Sequence, residues 1–348
     1  YLQSNARGVL KAFDDIFNRA STAALSIAGS GSQSNVQTAT SANQLYTAQF
    51  DTSSWTGDVT AKPITTDVGG NIKISSAPDW SAAARLKLLT PANRKIYVGH
   101  GSTAAATSFT WADIGTSLQG HLNKASPSAT ADGNGQKRLN YLRGDRSNES
   151  TIATTKAYRL RTNLLGDIVD SKVTYLGKPN ASYSDTHNPG YTTFKSSKAS
   201  RTPLVFVGAN DGMLHAFDAS ESTNAGNEVF AVVPYSTFEG PDGTPQSSGL
   251  QALARPTYTH RYYMNATPEI RDVDFARTGN SLAAIGASTP ADWRTLLVTG
   301  QGKGGRSFVA VDVTDISPGS LTETGMANKI LWEFTHADMG YSYGRPLI

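Results

Sequence analysis

The triplet Arg143-Gly144-Asp145 has the plainest binding chemistry in the sequence. In an exposed loop, its Asp carboxylate can complete the coordination sphere of a metal ion in an integrin, while its Arg pairs with a carboxylate. A match of three residues is weak by itself. The alternative is a structural turn, in which Arg143 and Asp145 pair inside the fold and Arg146 and Glu149 extend the ion network. The triplet is therefore a candidate receptor-binding site with a structural alternative.

A second motif, Gly300-x-Gly302-x-x-Gly305, has the spacing of a dinucleotide-binding fingerprint. That fingerprint needs a helix directly after it, because the helix N-terminus holds the pyrophosphate. Residues Ser307–Val313 instead alternate as a β-strand does. The sequence therefore predicts a glycine-rich hairpin here and no bound nucleotide or other cofactor.

Catalytic and metal-binding chemistry has little support in the residue types. The chain has no Cys, which excludes disulfides, thiolate ligands and thiol nucleophiles. His215 and His260 fall in predicted strands, where we expect them to be hydrogen-bonded rather than to ligate a metal. No Asp-x-Asp-x-Asn/Asp-Gly loop occurs, and Asp272 with Asp274 supplies only two carboxylates. We therefore predict no metal site, no catalytic residue and no enzyme activity in this chain.

The composition favours a β-rich extracellular protein. Charged residues make up 17% of the chain, against about 25% in ordinary soluble proteins, and Gly, Ser and Thr are abundant. The formal net charge is only +3 and the Lys and Arg residues are scattered, so we expect no nucleic-acid partner. No run of about 18 apolar residues occurs, so we expect no membrane span.

Two kinds of local structure are predicted along the chain. Residues 1–29 have an apolar stripe at helical spacing and predict a helix, and the Gly/Ser-rich residues 29–42 predict a linker. A short helix is expected at Ser81–Leu89, and residues 100–138 and 178–201 are expected to be loops. The remainder predicts short strands bounded by Gly, Asn, Asp and Pro, at Leu45–Phe50, Lys95–Gly99, Lys172–Leu176, Pro203–Gly208, Met213–Asp218, Glu228–Val233, Tyr258–Asn265, Glu269–Phe275, Thr295–Gly300, Ser307–Val313 and Lys329–Phe334.

An internal repeat is the most informative feature of the sequence. Residues 204–219 and 296–313 each contain an apolar strand, a Gly-rich hairpin and a second strand that ends in Ala-x-Asp. Each copy is followed by a third strand with an aromatic centre, at Glu228–Ala231 and Lys329–Phe334. This order is that of a β-propeller blade, and blades stack in a ring because one blade alone cannot bury both of its faces.

The two copies are separated by about twice a standard blade of about 45 residues. We therefore expect a degenerate blade or a large insertion between them, which uses Tyr258–Phe275. A fainter third copy is expected to begin at Arg94–Gly99, and the side chains of Trp293 and Trp332 are expected to pack between blades.

The ordered series of motifs along residues 45–348 resembles the propeller of PilY/PilC-type pilus-tip adhesins. No single motif is decisive, but the order is specific: Trp55–Val59, Arg94–Tyr97, Tyr141–Asp145, Arg159–Arg161, Leu165–Val169, Val207–Phe217, Trp293–Thr295, Gly302–Arg306, Leu331–Phe334 and Gly340–Tyr341. The resemblance implies an all-β fold, a modified quinoprotein-type β-propeller of about seven blades that is incomplete here. Residues 1–42 would be a helical junction and linker, and residues 43–348 the N-terminal and middle portion of the propeller.

The resemblance also implies a non-catalytic role in type IV pilus biogenesis and in adhesion at the pilus tip. The implied partners are minor pilins of the tip complex and a host or other surface, with an integrin as one candidate. The implied location is outside a Gram-negative cell, after export through the periplasm and outer membrane. Calcium is expected in the family's propeller, at a loop beyond residue 348. The alternatives are a periplasmic quinoprotein-like oxidoreductase and a carbohydrate-binding propeller. Both chain ends are expected to be cuts in a longer protein.

Overall fold

The computed structural model describes residues 25–32, 43–99, 106–125, 129–150, 158–240, 248–277, 290–322 and 324–348. The strands of the described chain form three main sheets, which are antiparallel except for one parallel pair in the second sheet, and a separate two-stranded pair. The strands are joined by turns in which glycine supplies positive φ, as in Gly212 at φ 92°. The prediction of an all-β architecture is confirmed.

The first sheet has the order β1-β2-β3-β4, with β5 also paired to β3. Strand β1 corrects the sequence prediction: residues 25–29 were expected in a helix and residues 30–32 in a linker, but all except Ala28, which lies at a bulge, pair with β2. Interstrand hydrogen bonds along this register satisfy the backbone groups that a helix would otherwise satisfy. The rest of the predicted helix and linker lies outside the described residues. The strands are β1 (Leu25–Ser32), β2 (Asn43–Asp51), β3 (Thr56–Thr66), β4 (Ile72–Ile74) and β5 (Trp80–Ser81).

The second sheet contains the first copy of the repeat and has the order β10-β11-β12-β13-β6-β7. Strand β6 is parallel to β13 and extends the outer edge of the meander. The expected third repeat copy at Arg94–Gly99 is therefore wrong, because this segment joins an existing sheet instead of starting another. The strands are β6 (Ile96–Val98), β7 (Thr107–Ser108), β10 (Thr174–Leu176), β11 (Leu204–Ala209), β12 (Met213–Asp218) and β13 (Glu228–Val233).

The third sheet contains the second copy and has the order β14-β15-β16-β17, antiparallel throughout. Its register repeats that of the second sheet: Ala216 pairs with Phe230, and Ala310 pairs with Trp332. A register shift follows Ala216 and Ala310 alike. The predicted antiparallel ribbons are thus confirmed. The strands are β14 (Glu269–Asp274), β15 (Trp293–Gly300), β16 (Ser307–Asp312) and β17 (Ile330–Thr335).

The described part of the segment between the two copies forms an insertion and not a degenerate blade, apart from Glu269–Asp274, which is the first strand of the third sheet. It contains the 3-10 helices Tyr235–Phe238 and Leu250–Ala254. The strand predicted at Tyr258–Asn265 is absent, because the backbone there bonds to hairpins instead of a neighbouring strand. The Tyr263 N–H donates to Asn210 Oδ1 and the Asn265 N–H donates to the Gln301 carbonyl.

The three sheets pack face to face, which is the arrangement of successive propeller blades. Tyr46 and Val59 of the first sheet pack in one core cluster with Val205 and Phe217 of the second. On its opposite face, the second sheet packs against the third in another cluster, which includes Phe206, Phe230, Leu297 and Val311. The described sheets do not close into a ring, so the structure is that of an incomplete propeller.

Short helices cover the outer part of the second sheet and position the predicted triplet. Helix α1 (Ala82–Leu88) confirms the expected helix, and Ser81 caps it by accepting a hydrogen bond from the Ala84 N–H. Helices α2 (Gly115–Leu122) and α4 (Tyr191–Ser197) lie in segments predicted as loops, and α3 (Gly135–Arg143) begins in such a segment and continues beyond it. The few apolar residues in these segments obscured the helical period. A parallel pair, β8 (Glu149–Ser150) and β9 (Tyr158–Arg159), follows α3. No helix in the described ranges is long and apolar enough to cross a membrane.

Candidate functional site

The predicted triplet lies at the end of helix α3, not in an exposed loop. Arg143 is the last helical residue, and Gly144 caps the helix at φ 112°, a conformation that favours glycine. Arg143 is 7% exposed, and its guanidinium donates to the carbonyls of Phe109 at 2.9 Å and Arg94 at 2.8 Å. The Asp145 carboxylate accepts from the Ser147 N–H at 2.8 Å. The integrin-binding hypothesis, which needs an accessible Arg, therefore finds no support in the position of Arg143.

Of the expected ion network, the contact between Arg146 and Glu149 is present and Arg161 extends it, whereas Arg143 donates to backbone carbonyls instead of pairing with Asp145. Arg146 Nε lies 3.0 Å from Glu149 Oε2, and Arg161 Nε lies 2.7 Å from Glu149 Oε1. Arg161 also donates to the Asp145 carbonyl at 3.3 Å and stacks over the Tyr141 ring at 3.7 Å. These contacts hold the chain that follows α3 against the helix.

Arg94 connects the helix end to the core of the second sheet. It donates from Nη1 to the Arg143 carbonyl at 3.0 Å, while Arg143 donates to the Arg94 carbonyl. The Arg94 guanidinium also grips Glu228 at both carboxylate oxygens, with distances of 2.6 and 2.8 Å. Both side chains are almost fully buried. Such a bidentate pair fixes geometry strongly, and removal of one partner would leave a buried charge uncompensated.

His215 completes this cluster beneath the first hairpin. Its ring is fully buried between two carboxylates, with Nδ1 2.8 Å from Glu228 Oε1 and Nε2 3.1 Å from Asp211 Oδ1. Burial alone lowers the pKa of His215, but Asp211 and Glu228 outweigh it and raise the pKa to about 9. Burial raises the pKa of Glu228, but Arg94 and His215 outweigh it and lower the pKa to about 2. At neutral pH the cluster therefore holds two cations and two anions, which we call the buried charge cluster: Arg94, Asp211, His215 and Glu228.

A second polar network ties the same hairpin to the first sheet. Asp167 Oδ2 accepts from Asn210 Nδ2 at 2.7 Å and lies 2.7 Å from His260 Nε2. The His260 ring stacks on Trp55 with centroids 3.8 Å apart. Trp55 has φ 50°, a conformation that is strained for a non-glycine residue. His260 is hydrogen-bonded as predicted, although it lies in irregular chain and not in a strand.

A small cleft of about 20 Å³, with room for about one water molecule, lies between these two networks and is lined by both charged and aromatic residues. Arg159 stacks over the Tyr258 ring at 3.6 Å and donates to the Trp55 carbonyl at 3.1 Å. The other residues that line the cleft include Tyr141, Arg161, Asp167 and Asp211. Because the carboxylates are already engaged by His215, His260 and backbone N–H groups, the cleft presents guanidinium and aromatic faces rather than a free acid or base.

The described residues do not fit a calcium ion of the kind that the resemblance implies. Within those ranges no group of three or more His, Asp or Glu side chains could hold a metal ion. Asp272 accepts hydrogen bonds from Tyr191 and Thr295, and Asp274 accepts from the Asp292 N–H. A calcium site at a loop beyond residue 348 stays a prediction.

The buried charge cluster was missed by sequence reasoning, although a signal was present. His215 and Glu228 are charged or titratable positions inside strands that are otherwise apolar, which is costly unless they are paired. Their partner Arg94 lies more than a hundred residues away in sequence, so only the fold brings the cluster together.

Exposed aromatic side chains mark the third sheet. Trp293 packs against Tyr191 and Phe194 of helix α4 and not between blades as predicted, and its Nε1–H donates to the Pro189 carbonyl. Trp332 is 40% exposed and Phe334 is 52% exposed. The expected packing of Trp332 between blades is therefore not observed, because no described sheet covers that face.

The comparisons with known proteins agree with the resemblance. A family model described as the PilY1 beta-propeller domain matches residues 165–348. The chain is 31% identical over 360 residues to the type IV pilus biogenesis factor PilY1 of Pseudomonas aeruginosa strain PAK, covering 98% of this chain and 27% of that protein. It is also 31% identical over 355 residues to a Xylella fastidiosa homolog of PilY1, covering 100% of this chain and 24% of that protein.

Among solved structures, the crystal structure of the P. aeruginosa PilY1 C-terminal domain is similar, with 31% identity and a TM-score of 0.31. That similarity covers 50% of this chain and 28% of the solved chain. The chain spans about a quarter of the length of the curated relatives that it matches.

Proposed function

This chain belongs to the PilY1 family of type IV pilus biogenesis factors, and from that premise we propose that it is a rigid, non-catalytic part of an adhesin at the pilus tip. The observation that carries the proposal is the match to pilus biogenesis factors over 98% of the chain. The proposed partners are minor pilins on one side and a host or abiotic surface on the other. The proposed location is the outer surface of a Gram-negative cell.

The stacked sheets support a mechanical role. An adhesin at a pilus tip must transmit tension without local unfolding, and here the strands that would separate are cross-linked by side chains. The buried charge cluster joins β12 and β13 to the chain before β6 and to the end of α3. The Asp167–Asn210 contact joins the hairpin to the segment that packs on the first sheet. Pulling on a loop would therefore have to break several buried charged hydrogen bonds together.

The arrangement of titratable groups also supports a role without chemistry. His215, the best-placed candidate base, is fully buried and is protonated at neutral pH because its pKa is raised to about 9. A protonated, enclosed imidazole can neither accept a proton from a substrate nor reach one. We therefore favour adhesion over the quinoprotein-like oxidoreductase. Addition of pyrroloquinoline quinone and Ca²⁺ to the purified chain, followed by absorbance spectroscopy, tests this choice, and a bound quinone spectrum would favour the oxidoreductase.

A genetic experiment tests the adhesin proposal in the bacterium that encodes the chain. The gene is deleted and then restored as the wild-type sequence, as Glu228→Gln or as Asp292→Asn. The Asp292→Asn variant, at an exposed ion pair, is the matched acid-to-amide control. Surface pili are quantified by shearing and immunoblotting, and adhesion is measured in a background that cannot retract pili. We expect the deletion to lose surface pili, and Glu228→Gln to lose adhesion under flow more than the control does. Normal piliation and adhesion in the deletion strain would refute the proposal.

A further inference from the structure

A groove lies between the first strands of the second and third sheets, β10 and β14, and we call it the axial groove. It has a volume of about 510 Å³ and is lined by all of β10, by part of the loop that follows β10 and by residues 269–272 of β14. Sites for small ligands commonly have volumes of about 300–1,000 Å³. The first strands of propeller blades face a central channel. Both walls of the groove are described residues, so no further sheet is needed to form it.

The lining of the axial groove carries more positive charge than it neutralises. Five of the lining side chains are basic and two are acidic. Both acids are already engaged, because Glu269 pairs with Arg345 and Asp272 accepts hydrogen bonds from two hydroxyl groups. Lys172 and Lys178 are exposed, and neither has an ion-pair partner among the described residues. The groove therefore presents uncompensated positive charge, which favours an anionic ligand.

An exposed aromatic ring in the lining is held in a fixed orientation. Tyr183 lies in the loop after β10 and is 39% exposed. Trp293 stacks on this ring with centroids 5.7 Å apart, and Tyr191 meets it edge-on at 4.9 Å. Neither supporting ring lines the groove. Tyr183 is therefore a rigid platform of the kind on which the apolar C–H face of a sugar ring can pack.

Hydrogen-bonding groups with fixed positions lie in the same lining. The Arg201 guanidinium donates to the Gly177 carbonyl and, at 2.7 Å, to Thr295 Oγ1. The Thr295 hydroxyl in turn donates to Asp272 Oδ1 at 2.7 Å. This chain of contacts fixes a planar donor and a planar acceptor in one groove. A sugar hydroxyl can both donate and accept, so it can use both.

We propose that the axial groove binds an acidic oligosaccharide, in which one sugar ring packs on Tyr183 and a uronate carboxylate pairs with Lys172 or Lys178. The charge alone would also suit an acidic peptide, but the supported ring and the donor–acceptor pair favour a sugar. This inference rests on the proposed adhesin function and names the class of surface ligand for it. Sugar binding is measured on the purified chain and adhesion is measured on cells, so the two proposals can fail separately.

Isothermal titration calorimetry of the 348-residue chain tests the site. The probe is trigalacturonate, and the controls are maltotriose, which is neutral, and pentaglutamate, which is an acidic peptide. We expect trigalacturonate to bind at least about tenfold more tightly than either control, because only it satisfies both the charge and the platform. Its affinity should fall when NaCl is raised from about 20 mM to about 200 mM, since exposed charges are then screened.

Matched variants assign the binding to the groove. Tyr183→Ala should weaken trigalacturonate binding about tenfold, whereas Tyr183→Phe, which keeps the ring, should bind as wild type does. Tyr341→Ala is the control, at a tyrosine that is 41% exposed and does not line the groove. Lys178→Gln, at an exposed position that tolerates substitution, should weaken binding about threefold. Its control is Lys137→Gln, at an exposed position on α3.

Three results would overturn the proposal: no binding of trigalacturonate, equally tight binding of maltotriose or pentaglutamate, or variants of the groove that weaken binding no more than their controls. Equal binding of pentaglutamate would show that the groove recognises charge alone. If the deletion strain loses pili and adhesion while the purified chain does not bind trigalacturonate, this inference fails and the adhesin proposal stands.

Discussion

Replacement of Glu228 by Gln is the most direct test of the buried charge cluster. Gln has nearly the same shape but no charge, so it leaves the Arg94 guanidinium buried without its carboxylate partner. Breaking a buried ion pair by removing one partner typically destabilises a protein by about 3–5 kcal/mol. Because His215 also loses one of its two carboxylates, we expect a loss in this range in the free energy of unfolding.

The pH dependence separates the charge effect from a packing effect. The pKa of His215 is about 9 in the folded protein, against its ordinary value of 6.5, which applies to the unfolded chain. A raised folded pKa contributes stability that is complete below pH 6.5 and is lost as the pH rises through 9. A shift of this size corresponds to about 3 kcal/mol. Glu228→Gln lowers the folded pKa of His215, so the loss of stability between pH 6.5 and 9 should be smaller in the variant.

Urea denaturation followed by tryptophan fluorescence measures both effects. The control is Asp292→Asn, which breaks an exposed pair with Arg294 and should change stability by less than about 1 kcal/mol. The variant and the control are compared with wild type at pH 6, 7.5 and 9. The slope of the unfolding free energy against urea concentration should be the same in all three proteins, which checks that the unfolded state is unchanged. A Glu228→Gln loss no larger than that of the control, with a pH profile like that of wild type, would refute the role assigned to the cluster.

Two further predictions concern the triplet and the hairpin. Arg143→Ala leaves buried carbonyls without donors and should cost at least about 2 kcal/mol, whereas Asp145→Asn, which keeps an acceptor for Ser147, should cost less than about 1 kcal/mol. Urea midpoints check this, and equal effects of the two changes would contradict it. Gly212→Ala places a methyl group against Leu250 at a position where φ is 92°. It should lower the melting temperature more than Gly133→Ala, where φ is 69° and no atom lies within 4 Å of the added methyl group. The reverse order would show the account of the hairpin wrong.

The position of Arg143 shows the limit of motif reasoning. The triplet is visible in the sequence, but its accessibility depends on where the preceding residues place it. Helix α3 was not predicted, because its sequence is polar and its apolar contacts come from distant elements. Once the helix forms, Arg143 at its end meets the carbonyls of Arg94 and Phe109 and is buried.

The exposure of Trp332 is a second property that a sequence motif does not determine. Its place in an outer strand was predicted correctly, from the aromatic centre of the repeat. Its exposure depends on whether a neighbouring sheet lies on that face, and a strand pattern contains no information about that neighbour.

The sequence by itself determined the family and the antiparallel strands of the two repeat copies, because alternation of apolar residues and glycine hairpins are local properties that need no distant partner. Only the tertiary structure decided that Ile96–Val98 joins the second sheet and that Arg94 meets Glu228. Those contacts join segments more than a hundred residues apart. The buried charges and the strand edges find their partners only after the sheets have stacked, and without those partners their burial would cost free energy.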